Sequence, residues 1–116
     1  MPRVYVVQEP LRRGRDGQLE RYIDLTPAAA YGELVQLLPP GRLMLAPAPT
    51  VARIRSGLSS FSDEDYLLPV GDQAAIAAAS AVAAAHNNGR FKVLKWDRDA
   101  RRYIVIQVDI TGRTGE

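Results

Sequence analysis

The strongest hydrophobic pattern in the chain runs from residue 67 to residue 110 and predicts a strand, a helix and a β-hairpin. An apolar stretch over residues 66–70 leads into Asp72 and then into residues 73–86, which contain nine alanines. Alanine has the highest helix propensity and Asp is a favourable N-cap. We therefore expect a helix over residues 73–86 that ends at the Asn-Asn-Gly sequence after it.

The hairpin is predicted over residues 90–96 and 102–110, which are joined by a charged turn. In its second strand apolar side chains alternate strictly with mixed ones, which is typical of a half-buried strand. We expect one face in the core and the other partly in water. The expected core face consists of Ile104, Ile106, Val108 and Ile110, and the expected outer face of Tyr103, Val105, Gln107 and Asp109.

The N-terminal part predicts a second hairpin. Residues 4–7 are β-branched or aromatic and predict a strand, residues 21–25 look like its return strand, and an arginine-rich loop joins them. Thr26-Pro27 favours the start of a short helix that Gly32 ends as a left-handed cap, followed by a strand over residues 34–38. A continuous helix over residues 27–38 is the competing interpretation.

The middle of the chain is proline-rich and then amphipathic. Residues 41–50 include Pro47 and Pro49, which are separated by one alanine. They therefore predict an edge strand with an extended connector, or an exposed recognition loop. Thr50 is expected to cap a helix. Its apolar face would consist of Val51, Ile54, Leu58 and Phe61. Residues 62–65 predict a solvated acidic turn, and Pro69 places the next strand at a sheet edge or ends it there.

These elements predict an α+β fold, with a mostly antiparallel twisted sheet on which the alanine-rich helix and a shorter helix pack. A chain of 116 residues predicts a single compact domain over residues 1–116, with residues 111–116 as a frayed tail. The absence of cysteine excludes disulfides, thiolate catalysis and Cys-ligated zinc. No apolar run approaches the ~20 residues of a membrane span, and residues 1–5 do not resemble a signal peptide, so we expect a cytoplasmic protein.

Net charge is only +2, but the predicted hairpin over residues 90–110 combines cations with aromatic side chains. Bases stack on such rings and phosphates contact such cations in proteins that bind single-stranded nucleic acid. The candidate nucleic-acid surface, within and just beyond residues 90–102, consists of Arg90, Lys92, Lys95, Trp96, Arg98, Arg101, Arg102 and Tyr103. The alternative is that Trp96 is part of the core and the cations form a solvated face.

Catalytic chemistry has little support in the sequence, so we expect no enzyme, no cofactor and no metal site. His86 is the only histidine, and at a helix C-terminus it interacts favourably with the helix dipole. The helix start at Gly71-Asp72 is a weaker candidate for a small nucleotide or anion, because Asp72 itself would occupy the N–H groups there.

A non-enzymatic binding protein that acts through protein–protein contacts, possibly as a homodimer, is the function we expect. Two features favour it, the apolar proline-rich segment and a helix of alanines thin enough for close approach. The candidate protein interface consists of Leu43, Met44, Leu45, Pro47 and Pro49.

The order of motifs also resembles a known group. Leu67-Leu68-Pro69-Val70-Gly71-Asp72, the alanine-rich helix, the Val-Leu-Lys-Trp-Asp-Arg sequence at 93–98 and a Tyr-led strand are similar to small uncharacterised proteins of tailed bacteriophages. Residues 25–34 carry the likeness upstream, so that it covers about residues 4–110. The resemblance implies a phage protein in the host cytoplasm that binds a host or phage macromolecule. It assigns no functional residue.

Overall fold

The structure, a computed structural model, describes residues 1–21, 23–40 and 47–112. The strands are β1 (Arg3–Gln8), β2 (Leu11–Arg13), β3 (Leu19–Arg21), β4 (Glu33–Leu38), β5 (Tyr66–Leu68), β6 (Arg90–Asp97) and β7 (Arg102–Asp109). The helices are a 3₁₀ helix (Thr26–Ala30), α1 (Pro47–Gly57) and α2 (Gln73–His86). Of the helices described, none has the length and apolar composition needed to cross a membrane.

The main sheet has five strands in the order β4-β1-β5-β6-β7. Strand β1 pairs in parallel with both β4 and β5, β5 pairs in parallel with β6, and only β6 and β7 are antiparallel. The α+β class is therefore confirmed, but the expectation of a mostly antiparallel sheet is wrong.

The connections between strands explain the parallel pairing. Parallel strands need a crossover of about a dozen residues or more; α1 lies in the connection from β4 to β5, which passes β1, and α2 lies in the crossover between the neighbours β5 and β6. The expected partner of residues 4–7 was a return strand at 21–25. Instead, β2 and β3 pair with each other in a separate two-stranded sheet, and β1 takes its neighbours from much later in the chain. Tyr22 lies outside the described residues.

Helix α2 is where the sequence predicts it. The Asp72 carboxylate accepts a hydrogen bond from the N–H of Ala75 at 3.0 Å, which satisfies a donor that the first turn leaves free. At the other end Asn88 and Gly89 take positive φ angles of 57° and 85° and turn the chain into β6. The predicted N-cap and C-terminal stop are both confirmed.

Two cores cover the two faces of the main sheet. On one side, here called the helix face, α1 and α2 pack on β1, β4 and β6. Its buried side chains include Tyr5, Val7, Leu67, Phe91, Ile54, Leu58, Phe61, Ala75, Ala79 and Ala83. On the other side, here called the 3₁₀ face, the 3₁₀ helix covers a smaller core that includes Val4, Val6, Leu25, Ala28, Leu68, Leu94 and Tyr103.

Several local predictions need correction. Helix α1 begins at Pro47, so Thr50 lies inside it rather than at its N-cap. Gly32 follows the 3₁₀ helix without a positive φ. It is required because a Cβ there would lie 2.5 Å from the carbonyl oxygen of Pro2. Strand β4 is confirmed over the competing helix, and β5 ends just before Pro69 but lies at the centre of the sheet.

The acidic turn is solvated at Asp63 and Glu64 but not at Asp65, which is buried. The Asp65 carboxylate accepts hydrogen bonds from the backbone N–H groups of Arg3 and Ser62, each at 2.9 Å. It therefore ties the start of β1 to the loop that leads into β5. The solvated-turn prediction is wrong for this residue because its buried carboxylate accepts hydrogen bonds from two partly buried backbone donors.

The expected burial of β7 is also wrong. Ile106 and Ile110, on the predicted core face, are 39% and 70% exposed, whereas Tyr103, on the predicted outer face, is buried. Strand β7 is the edge of the sheet, and α2 packs over β1 and β6 rather than over β7. An alternating pattern identifies two faces but does not show how far a covering helix extends.

Candidate functional site

Exposed apolar side chains are concentrated where β6 and β7 form one end of the main sheet. Trp96 and Val105 are each 42% exposed, and Ile106 and Ile110 lie on the same hairpin. These four residues are called the open end below. The β6–β7 pairing places Ile106 opposite Val93 on the helix face and Val105 opposite Leu94 on the 3₁₀ face. The open end therefore includes both faces of the sheet and its edge.

A shallow apolar groove of about 480 Å³ lies against the open end. Val93, Ile106 and Val108 line it together with Pro69, and Lys95 supplies a charge at its border. Val93 and Val108 also pack against the core beneath α1 and α2. The groove therefore continues the helix face, and Leu68, Leu94 and Trp96 of neighbouring strand positions also line it.

The outer edge of β7 exposes backbone groups. Pairing with β6 is continuous from Arg90 opposite Asp109 to Asp97 opposite Arg102, without a bulge. The N–H of Ile110 donates to the carbonyl of Gly89 at 2.8 Å. Because backbone groups alternate in direction along an antiparallel strand, the even-numbered residues of β7 face β6 and the odd-numbered ones face outward.

Only part of that outer edge is open. The hydroxyl of Tyr31 donates to the outward carbonyl of Tyr103 at 2.8 Å, and the N–H of Gly112 donates to the carbonyl of Asp109 at 3.4 Å. Between them, the outward N–H and carbonyl groups of Val105 and Gln107 have no hydrogen-bond partner within the described part of the chain. Within the described part of the chain, the outer edge of β7 is therefore open for pairing at Val105 and Gln107.

Aromatic side chains lie beside the open end on the 3₁₀ face. Trp96 packs edge-on against Tyr103, with ring centroids 5.0 Å apart, and Tyr31 packs likewise on Tyr66 at 5.5 Å. The Lys92 ammonium lies 4.2 Å from the centre of the Tyr66 ring. Sequence reasoning missed Tyr31 and Tyr66, because nothing local shows that they approach the hairpin.

Burial changes the ionisation of Tyr103. Its side chain lies in the core of the 3₁₀ face, and this burial raises the pKa of its phenol. The negative charge of Asp24 raises that pKa further. Tyr103 is therefore a neutral, buried support for Trp96, and only the indole is available to a partner.

The predicted nucleic-acid surface is divided by the fold. Arg90, at the end of β6 far from the turn, binds the Asp63 carboxylate at 3.2 Å; this contact raises the pKa of Arg90 and lowers that of Asp63. Lys95 lies on the helix face, whereas Lys92 and Trp96 lie on the 3₁₀ face. Arg98, Arg101 and Arg102 are exposed at the turn.

The predicted protein interface falls largely outside the described residues. Leu43, Met44 and Leu45 lie there, as does the side chain of Pro47, and Pro49 is exposed in α1. That interface stays a prediction. Part of the predicted tail, residues 113–116, also lies outside the described chain.

The other candidate sites are occupied by the protein's own groups or isolated. At the start of α2, Asp72 caps the first turn, and its own N–H donates to the Gln8 side chain at 3.0 Å. His86 is exposed at the far end of α2. Within the described ranges, no three His, Cys, Asp or Glu side chains are placed to hold a metal ion.

Comparison with known proteins places this chain among phage proteins. The profile of the Phage Pam3 gp32-like protein family matches residues 2–110. The chain belongs to that family. The match runs from β1 through β7, so the open end lies within the family region. No curated protein and no solved structure matches the chain. The resemblance to small tailed-phage proteins is confirmed, and the Phage Pam3 gp32-like description assigns no activity.

Proposed function

We propose that this phage protein is a non-enzymatic binding protein that acts through protein–protein contacts at the open end. The observation that carries the proposal is that four large apolar side chains of one hairpin, Trp96, Val105, Ile106 and Ile110, are substantially exposed. Contiguous exposed apolar surface with a polar rim is typical of protein interaction sites.

The surroundings of the open end support this proposal. The groove beside Ile106 is lined mainly by apolar side chains, and the charged residue Lys95 lies at its margin. Interfaces between proteins have such an apolar centre and a charged rim. Trp96 adds a large amphipathic anchor, the residue type most enriched among side chains that dominate binding energy.

The experiment is to measure the mass of the purified protein by light scattering at low and high salt. Each measurement is repeated with a short single-stranded oligonucleotide, and a tagged copy is tested by cross-linking for direct contacts with phage and host proteins. A mass above that of the monomer, insensitive to salt and oligonucleotide, supports protein contacts. A monomer that cross-links to no protein in infected cells overturns the proposal.

A nucleic-acid-binding module is the second candidate function. The arrangement of Lys92 over Tyr66, next to Trp96 on the same face of the sheet, favours it because bases stack on such rings. Against it, Arg90 is already bound to Asp63, and the cations of the turn lie beside Asp97 and Asp99.

The two candidates respond differently to the same variants. Reversing the charges of Arg98 and Arg101 to Glu should abolish oligonucleotide binding but leave a protein-mediated mass unchanged. Affinity for nucleic acid should also fall steeply as salt is raised, because counterions are released on binding. A salt-independent affinity for the oligonucleotide would remove this second candidate.

A further inference from the structure

The two edges of the main sheet differ in how they are protected. The 3₁₀ helix contacts both edge strands, but β4 is also covered by α1, carries exposed Glu33 and Gln36, and is followed by Pro39-Pro40. Natural proteins use such charges, prolines and covering elements to block edge-to-edge pairing. Strand β7 has eight residues in continuous register, no proline and no bulge. An edge of this kind is a template on which another strand can pair.

We propose that β7 pairs antiparallel with β7 of a second copy of this chain, about a two-fold axis that passes beside Ile106. This inference rests on the proposed function, since it names the partner of the open end. It also extends that function, because the pairing would join two five-stranded sheets into one continuous sheet. A two-fold contact closes on itself and leaves neither copy with an open β7 edge.

The open backbone groups select the register. Between Arg102 and Asp109, Val105 and Gln107 are the residues whose outward N–H and carbonyl groups both lack a partner in the part of the chain that the structure describes, since Tyr31 occupies the carbonyl of Tyr103. An antiparallel ladder that uses both residues, and no others, pairs Val105 of one copy with Gln107 of the other. This register places Ile106 opposite itself, on the axis.

The side chains match in that register. Ile106 meets its own copy, and Ile104 lies opposite Val108, so the helix-face side of the seam is entirely β-branched and apolar. Cross-strand pairs of this type stabilise antiparallel sheets. The pairing would cover Ile106 and Val105, which the isolated chain leaves 39% and 42% exposed.

The charge order along the strand favours the antiparallel direction. The strand begins at Arg102 and ends at Asp109. Antiparallel pairing brings the cationic end of one copy beside the acidic end of the other, whereas parallel alignment would place like charges together. The strand is thus complementary to a second copy of itself in sequence, backbone and charge.

The test uses the self-opposed position. Ile106→Lys and Ile106→Glu should each halve the measured mass, because each places two like charges against one another on the axis. An equimolar mixture of the two variants should recover the dimer mass, since Lys then faces Glu. Leu19→Lys is the matched control: Leu19 is 57% exposed on the separate β2–β3 hairpin, and its substitution should leave the dimer intact.

Amide hydrogen exchange provides a second readout that does not depend on charge. The N–H groups of Val105 and Gln107 should be protected in the wild-type dimer and exchange rapidly in Ile106→Lys. The amides of β1 should stay protected in both proteins, which shows that the variant is folded. Rapid exchange at Val105 and Gln107 in the wild-type dimer would overturn the strand pairing.

The outcomes separate this inference from the proposed function. A wild-type dimer that survives both Ile106 variants, or variants whose mixture stays monomeric, overturns the pairing but leaves protein contact as the function. If the wild type is a monomer at all concentrations but cross-links to another protein through β7, the pairing with a second copy is overturned and protein contact stays as the function. A monomer that cross-links to no protein overturns both.

Discussion

The hydroxyl of Tyr31 donates a hydrogen bond at 2.8 Å to the backbone carbonyl of Tyr103, which lies 72 residues later in the chain. Tyr31 follows the 3₁₀ helix, and Tyr103 lies on the outer edge of β7. This bond therefore closes one end of an edge that is open at Val105 and Gln107. It also attaches the first third of the chain to the last strand.

Replacing Tyr31 with Phe should lower the free energy of unfolding by about 0.5–1.5 kcal/mol, the usual net contribution of one hydrogen bond. The ring contact with Tyr66 is retained, so the loss reports the hydroxyl alone. Urea unfolding measures it, and Tyr66→Phe is the control, because no hydrogen bond of the Tyr66 hydroxyl occurs among the described residues. Equal stability of the two variants would show that the bond contributes nothing.

Asp65→Ala should destabilise the fold by about 1–3 kcal/mol, because it leaves two partly buried backbone donors without an acceptor. Those donors are the N–H groups of Arg3 and Ser62, which join β1 to the loop before β5. Chemical denaturation gives the loss. Glu64→Ala, a neighbouring exposed carboxylate, is the matched control and should change stability by much less. A similar loss at Glu64 would mean that general charge, not buried hydrogen bonding, is responsible.

The Asp63–Arg90 contact should make stability depend on acid pH. Arg90 and Asn87 both bond the Asp63 carboxylate and lower its pKa below the ordinary value. A depressed folded-state pKa contributes stability above the unfolded-state pKa of about 3.9, and that contribution disappears as pH falls through the folded-state value. Wild type should therefore exceed Asp63→Asn in stability at pH 7, and the difference should vanish in strong acid.

A double variant tests the assignment of that pH dependence. In an Arg90→Gln background, Asp63→Asn should have much less effect on stability at neutral pH, since the two residues act as a pair. Thermal unfolding over the range from pH 7 to about pH 2 gives the curves. A difference between wild type and Asp63→Asn that persists unchanged at the lowest pH would contradict the ionic origin.

The sequence predicts correctly those elements that are specified by residues close together in the chain. The Asp72 cap, the alanine run and the Asn88–Gly89 ending define α2 within the sequence itself, and β6 and β7 are joined by a short turn. The parallel neighbours of β1 are strands far away in the chain, since Val4 lies opposite Leu34, 30 positions later, and opposite Tyr66, 62 positions later, and no local pattern specifies them.

The same limit applies to the candidate site. The hairpin and the proximity of Trp96 to Tyr103 could be predicted from the sequence, but the exposure of Ile106 could not. Exposure depends on where α2 ends across the sheet, which the alternation within β7 does not encode. The contacts of Tyr31 and Asp65 were missed for a related reason, because each joins elements far apart in the chain.

Gly71 permits the close approach between the end of β5 and the end of β1. Its φ is 107°, and a Cβ there would lie 2.5 Å from the carbonyl oxygen of Gln8. Gly17 offers a matched comparison, because its φ is also positive, at 80°, but a Cβ there would meet nothing within 4 Å. Gly17→Ala should therefore cost about 1–2 kcal/mol from backbone strain alone.

Gly71→Ala should cost more than Gly17→Ala, by about 1–3 kcal/mol, because the added methyl must also displace the backbone of β1. The same displacement would disturb the bond from the N–H of Gln8 to the carbonyl of Val70, which is 3.1 Å long in the wild type. Parallel urea titrations give both costs. Equal losses would mean that β1 and the turn separate without penalty, and the tight contact at Gln8 would then not contribute to the stability of the sheet.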